Sequence, residues 1–153
     1  MERFPIVETR DLEGRVYRVP DDLPPGPRLV IVPFKQWQQV LVEGWKAAVE
    51  DLGDAYPDLS VWEMPALSKS YTLARPYIDG GMRAGIPDLF VRQHTVTTYT
   101  DLKALTRLLD IPSRDTVSVF LLDRHGRIAW RDAGQVDEAK IRLLAEALAG
   151  VRD

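Results

Sequence analysis

Val119-Phe120-Leu121-Leu122-Asp123-Arg124-His125-Gly126-Arg127-Ile128-Ala129-Trp130 is the stretch whose reading decides the fold. From Val117 to Leu122 the chain has the near-continuous apolar character of a strand covered on both faces. Asp123-Arg124-His125-Gly126 then reads as a tight turn, because Asp bonds its own following backbone and Gly accepts positive φ. Arg127 to Trp130 returns as the next strand of a hairpin. Beyond it Asp137 can N-cap a last helix ending near Gly150, with Val136 placed to pack against Ile141 as a hydrophobic staple.

Upstream, strands alternate with helices. Leu29 to Val32 is a β-branched run suited to a central strand. Trp37, Val40, Leu41, Trp45, Ala48, Val49 and Leu52 recur at helical spacing and predict one apolar stripe, with Gly53 as the stop. Leu59 to Met64 predicts another strand. Pro76 suits the first turn of a helix carrying Ile78, Met82 and Ile86, in which Gly81 and Gly85 are expected to permit close packing. Thr95 to Tyr99 is a further strand, and Thr100 can cap a helix with Leu102, Leu105, Leu108 and Leu109 inward. At the N-terminus, Glu13-Gly14 followed by Val16 to Val19 predicts a small hairpin. The four prolines of Pro20-Asp21-Asp22-Leu23-Pro24-Pro25-Gly26-Pro27 make an ordered loop. The expectation is one α/β domain over 1–153, with an N-terminal arm and hairpin over 1–27 and a core over 28–150. Its three α/β/α layers enclose a mixed, mainly parallel sheet.

Composition narrows the function. The chain has 153 residues, 28% charged, with a net charge of -3 and no block of Lys and Arg. Nucleic acid is therefore not an expected partner. No apolar run approaches the length that spans a bilayer, so no membrane insertion is expected, and no apolar stretch follows Met1. Taken as a complete chain, it is expected to be cytoplasmic. Cysteine is absent, which excludes disulfides, thiolate metal sites and thiol nucleophiles.

Other chemistry is sparse. His125 reads as a turn residue. His94 has Glu63, Asp79 and Asp88 as candidate neighbours, but no metal-ligand spacing occurs. No Gly-x-Ser-x-Gly elbow is present. Gly80 to Gly85 lacks the Lys-Ser/Thr pair of a phosphate loop. No cofactor is expected. One cluster stands out: Lys35, Gln36, Trp37, Gln38 and Gln39, at the entrance to the first helix. Backbone N–H groups and a lysine there suit an anion, and Gln and Trp suit recognition; alternatively, Trp37 is core and the glutamines cap a helix in water.

The terminal strand, Asp-x-x-Gly turn, returning strand and helix resemble the ending of thioredoxin-like and peroxiredoxin-like proteins. Asp11-Leu12-Glu13-Gly14-Arg15 resembles the N-terminal hairpin of that group, so the likeness spans nearly the whole chain. Within the superfamily, Asp79-Gly80-Gly81-Met82-Arg83-Ala84-Gly85-Ile86, Thr98-Tyr99-Thr100-Asp101, the Phe120-Leu121-Leu122-Asp123 strand and Ile128-Ala129-Trp130 are similar to the group containing the mitochondrial ATP synthase assembly factor. That resemblance implies a protein that helps another assemble, and it adds Arg83 to the candidate contacts. Peroxiredoxin-like relatives often form homodimers.

The departures from the family bear on chemistry. In the peroxiredoxin frame Pro33 is kept, Trp37 stands for Thr, and Val40 stands where the thiol belongs. Val117 stands for the activating Arg and also for the thioredoxin cis-proline. The Cys-x-x-Cys frame falls on Gln38 with Leu41, or on Gln39 with Val42. A redox-inactive thioredoxin-like protein follows. Its expected role is protein interaction or assembly; the alternative is a small-molecule or anion binder, or a non-thiol enzyme, re-using the pocket near Lys35 and Trp37.

Overall fold

A computed structural model describes residues 2–151. Two hairpins frame it, built alike. β1 (Val7–Asp11) and β2 (Val16–Val19) pair antiparallel, as do β7 (Ser118–Leu122) and β8 (Ile128–Ala133). In the first turn an Asp11 carboxylate oxygen accepts the N–H groups of Glu13 and Arg15, each at 2.9 Å. In the second, an Asp123 oxygen accepts those of His125 at 2.8 Å and Arg127 at 2.9 Å. Gly14 and Gly126 supply the positive φ that each turn requires.

β3 (Arg28–Val32), every residue of it buried, lies between β7, antiparallel, and β4 (Ser60–Glu63), parallel. β6 (Val96–Thr100) lies between β1, antiparallel, and β5 (Ala66–Ser68), parallel. Met64-Pro65 carries the chain from the four-stranded group that holds β3 and β4 to the one that holds β5 and β6. Met64 N–H donates to Ile31 at 2.7 Å and Ala66 N–H to Pro33 at 3.0 Å, while the Pro65 carbonyl accepts from Thr98 at 3.0 Å. The mixed, helix-covered α/β architecture is as expected, but its strands form two four-stranded groups, β4-β3-β7-β8 and β2-β1-β6-β5, and parallel pairing does not predominate. Only β3–β4 and β5–β6 are parallel among the pairings of these strands, because both crossover halves are flanked by hairpin strands.

Alternation along β3 and β7 builds the layers. Leu29, Ile31, Val117, Val119 and Leu121 meet α1 (Gln39–Glu50) and α5 (Glu138–Gly150) through Val42, Trp45, Val49, Leu144 and Leu148. Trp45 Nε1 donates to the Gly134 carbonyl at 2.8 Å, and its ring stands edge-on to Trp130. On the opposite face, Val30, Val32, Phe120 and Leu122 meet Leu105 of α4 (Leu102–Leu108), Leu109 and Phe4. Asp101, rather than Thr100, caps α4, its carboxylate accepting the Ala104 N–H at 3.2 Å. Asp137 caps α5 as expected, and Val136 and Ile141 both pack on the core.

The sequence reading missed β5, the 3-10 helix Lys69–Ala74 and the short α3 (Leu89–Gln93). It also misjudged the glycines of α2 (Arg75–Gly85). A side chain at Gly80, Gly81 or Gly85 would meet open space, so close packing does not explain them. α2 is held by polar contacts instead. Asp79 accepts from Thr97 Oγ1 at 2.9 Å and from the Tyr99 hydroxyl at 2.8 Å, and Arg75 Nη2 donates to the Thr97 carbonyl at 2.9 Å. Burial and the Asp79 carboxylate push the Tyr99 hydroxyl pKa upward.

Candidate functional site

The cluster singled out in the sequence lies where β3 ends. Pro33 and Phe34 leave the strand, Lys35 is the extended residue before a 3-10 turn (Gln36–Gln38), and α1 follows directly. The five side chains do not share one role.

Gln38 is fully buried. Its Oε1 accepts the N–H of Phe34 at 2.8 Å and that of Lys35 at 3.4 Å. Its Nε2 donates to the Arg114 carbonyl at 2.8 Å. The amide therefore ties the β3–α1 connection to the loop that leads into β7. Lys35 makes an ion pair with Asp115 on that loop, and its ammonium holds the Asp115 carboxyl below the usual carboxylate range. The Lys35 N–H and ammonium, both expected to greet an anion, thus already have partners.

Gln39 donates to Glu43 at 2.8 Å and to Glu63 at 3.4 Å. Glu63, buried on β4, also takes Lys46 Nζ at 3.0 Å. Burying a carboxylate is tolerable when it is paired in this way. Gln36 and Trp37 face solvent, and Trp37 is 56% exposed.

Val40 and Val117 do not face a common pocket. Val40 is 70% exposed, while Val117 is fully buried against the α1–α5 layer. Helical phase accounts for the exposure of Val40. Within α1, Val40 lies on the face opposite Val42, Trp45 and Val49, while the 3-10 turn ahead of the helix sets Trp37 out of phase with them. Both positions are apolar, as read from the sequence, yet only Val117 belongs to the core.

Arg83 belongs to another place. Its guanidinium bonds Glu13 Oε2 at 3.0 Å, and Arg92 bonds Glu13 Oε1 at 2.8 Å. Glu13 thus clamps α2 and α3 onto the β1–β2 turn, beside the start of β6, whereas Lys35 follows the end of β3. Because β3, β5 and β6 run the same way, these are opposite ends of the sheet.

The two histidines have different surroundings. His94 stacks on Phe90 at 3.9 Å and lies against Trp62 at 4.5 Å, with Nδ1 at 2.8 Å from the Phe90 carbonyl. His125 sits in the β7–β8 turn. Among the described residues, no three His, Cys, Asp or Glu side chains form a group that could hold a metal. Nor is any described helix long and apolar enough to cross a membrane.

Sequence reasoning missed two features. Gln38 looked like one more solvated glutamine; its signal is the capping-box position, a Gln three residues after Lys35. Tyr71 and Leu73 follow β5, at the same end of the sheet as Trp37, and are 55% and 98% exposed. The surface at this end therefore carries Trp37, Val40, Tyr71 and Leu73 in solvent.

No family model and no curated protein matches the sequence. Solved structures do. The chain is similar to a proposed electron transfer protein from Aquifex aeolicus VF5, at TM-score 0.65 and 16% identity, covering 99% of this chain and 97% of that one. It is equally similar to BsSco, a member of the Sco family of cytochrome c oxidase assembly proteins, at TM-score 0.65 and 11% identity over 97% and 94% of the two chains. A third is the exposed lipoprotein thioredoxin of Streptococcus pneumoniae TIGR4, at TM-score 0.60 and 11% identity over 95% and 99%. The chain has the thioredoxin-like fold. Within that fold it is a cysteine-free version, with an amide network closing the end of β3.

Proposed function

We propose that this protein is a non-catalytic, redox-inactive thioredoxin-like module that docks a protein partner at the end of the sheet bearing Trp37. The observation that carries the reading is the contrast at that end. Gln38 and the Lys35–Asp115 pair close the connection, while Trp37, Val40, Tyr71 and Leu73 stand in solvent. Trp and Tyr are frequent energetic anchors of interfaces. The likeness of four short segments to the ATP synthase assembly factor group, on the peroxiredoxin-like side of the superfamily, supports an assembly role. So does the resemblance in fold to a Sco protein. A homodimer through the same face is the simplest competing use of it.

The test is affinity capture from the native host with wild type, Trp37→Ala and Leu73→Ser, beside size-exclusion chromatography of each. A reproducible partner recovered by wild type and lost by both variants is expected. Equal recovery by all three places the interface elsewhere, and a wild-type dimer dissolved by the substitutions assigns the face to self-association. Peroxide reduction with thiol donors is expected to stay at background; turnover above it would overturn the redox-inactive reading.

A further inference from the structure

The crossover from β5 to β6 runs through the 3-10 helix Lys69–Ala74, α2 and α3, and none of the described residues in 67–94 is buried. None of them belongs to either apolar cluster of the core. Tyr71, Leu73, Tyr77, Leu89 and Phe90 stand exposed. Gly80, Gly81 and Gly85 weaken α2 without gaining any close packing. A helical segment normally owes most of its stability to an apolar face buried against its neighbours. This one has no such support.

Beneath α2 lies the polar face of β6. Alternation along the strand turns Val96 into the core, and Thr97 and Tyr99 toward α2. The anchors of the segment are polar. Asp79 accepts from Thr97 and Tyr99, and the Arg75 guanidinium lies over the Tyr99 ring at 4.6 Å. Glu13 takes Arg83 and Arg92, while the Arg92 carbonyl accepts the Leu12 N–H at 3.1 Å. Thr95 Oγ1 donates to the Val91 carbonyl at 2.8 Å. Phe90 rests on His94, which itself lies against the buried Trp62. Water can replace the polar partners, so their net contribution is small beside that of the core.

We propose that residues 69–93 form a flap that opens as one unit, on hinges at Ser68 and His94, while β3, β7 and the helices packed on them stay folded. Tyr71 and Leu73 ride on the flap; Trp37 and Val40 do not. Opening therefore takes apart the face assigned to docking. That consequence rests on the docking reading; the opening itself does not.

The experiment is native-state hydrogen exchange of the full chain, read by 1H–15N NMR over a series of low urea concentrations. The Arg75 amide, bonded to the Thr72 carbonyl, reports the 3-10 helix. The interior amides of α2 report that helix, and the Arg92 amide, bonded to the Asp88 carbonyl, reports α3. All are expected to share one protection level, at least about a hundredfold below that of the buried Val30 and Phe120. Their dependence on urea should be weaker, because less surface is exposed. Tyr99→Phe removes one donor to Asp79 and should lower the shared level by about tenfold, at Arg92 as much as in α2. Gly81→Ala should raise it by about fourfold throughout. Protection equal to that of Val30 and Phe120, with the same urea dependence, would overturn the proposal. So would substitution effects confined to α2, since separate openings do not make a flap. The measurement needs no partner, so it succeeds or fails independently of the affinity capture.

Discussion

The side-chain amide of Gln38 donates to the carbonyl of Arg114 at 2.8 Å, across a sequence separation of 76 residues. With its oxygen on the Phe34 and Lys35 N–H groups, this one residue bolts together two segments that meet only at the end of β3. Gln38→Ala removes the acceptor of the half-buried Phe34 N–H and leaves the Arg114 carbonyl without this donor. A loss of about 1–3 kcal/mol is expected in urea denaturation. Gln36→Ala, on the solvent side of the same turn, should change stability by less than about 0.5 kcal/mol. Equal effects would mean that the amide network carries no weight.

Acid should loosen the Glu13 clamp. Its hydrogen bond to Arg92, with Arg83 beside it, holds the Glu13 carboxyl below its ordinary range in the folded chain. A folded-state pKa below the unfolded one gives stability that is present above the unfolded value and is lost as pH falls through the folded one. Asp115 behaves alike through Lys35. Denaturation midpoints should therefore drop from about pH 5 downward, and Glu13→Gln should flatten part of that slope. A variant with the wild-type acid profile would count against the clamp.

Gly126 has φ near +79°, and a Cβ added there would lie 2.8 Å from Pro20 Cγ. Gly126→Ala combines a left-handed backbone with a collision against a rigid ring. Thermal denaturation should show a loss of about 1–3 kcal/mol. Gly14→Ala, with φ +89° but open space around the new carbon, should cost less. The reverse order would show that backbone strain alone governs both turns.

Trp45 joins core packing to a polar bond. Trp45→Phe keeps most of the ring volume but frees the Gly134 carbonyl, and should cost about 1–3 kcal/mol. Trp45→Ala should cost about 3–5 kcal/mol by opening a cavity. Chemical denaturation distinguishes the two; identical losses would deny the indole N–H any part.

Much of the fold was legible because short-range chemistry marked it. Asp11 and Asp123 announce their turns by the same Asp-x-x-Gly-Arg spacing, and the apolar run of β7 admits only burial. The outward turn of Trp37 was not legible, since apolar residues at helical spacing say nothing about a 3-10 turn inserted ahead of the helix, and Val40 sat at the edge of a stripe whose true centre is Val42, Trp45 and Val49. β5 was hidden for a different reason. Three residues after a proline carry no periodicity, and that strand exists by pairing with β6. Gln38 and Arg28 share a further obstacle: polar side chains default to the surface in any sequence reading, and only long-range carbonyl partners reveal them as interior.

Pro65 brings no backbone donor to the point where the two four-stranded groups meet, so a few hydrogen bonds around Met64 and Ala66 span that junction. The sheet accordingly has a seam. Were the chain to open partway, β1, β2 and β6 could peel from β3, β7 and β8 as two leaves, with most ladders inside each leaf intact. What keeps the leaves shut is the greasy layer beneath them, where Val7 and Val19 from one share a cluster with Val30 and Phe120 from the other.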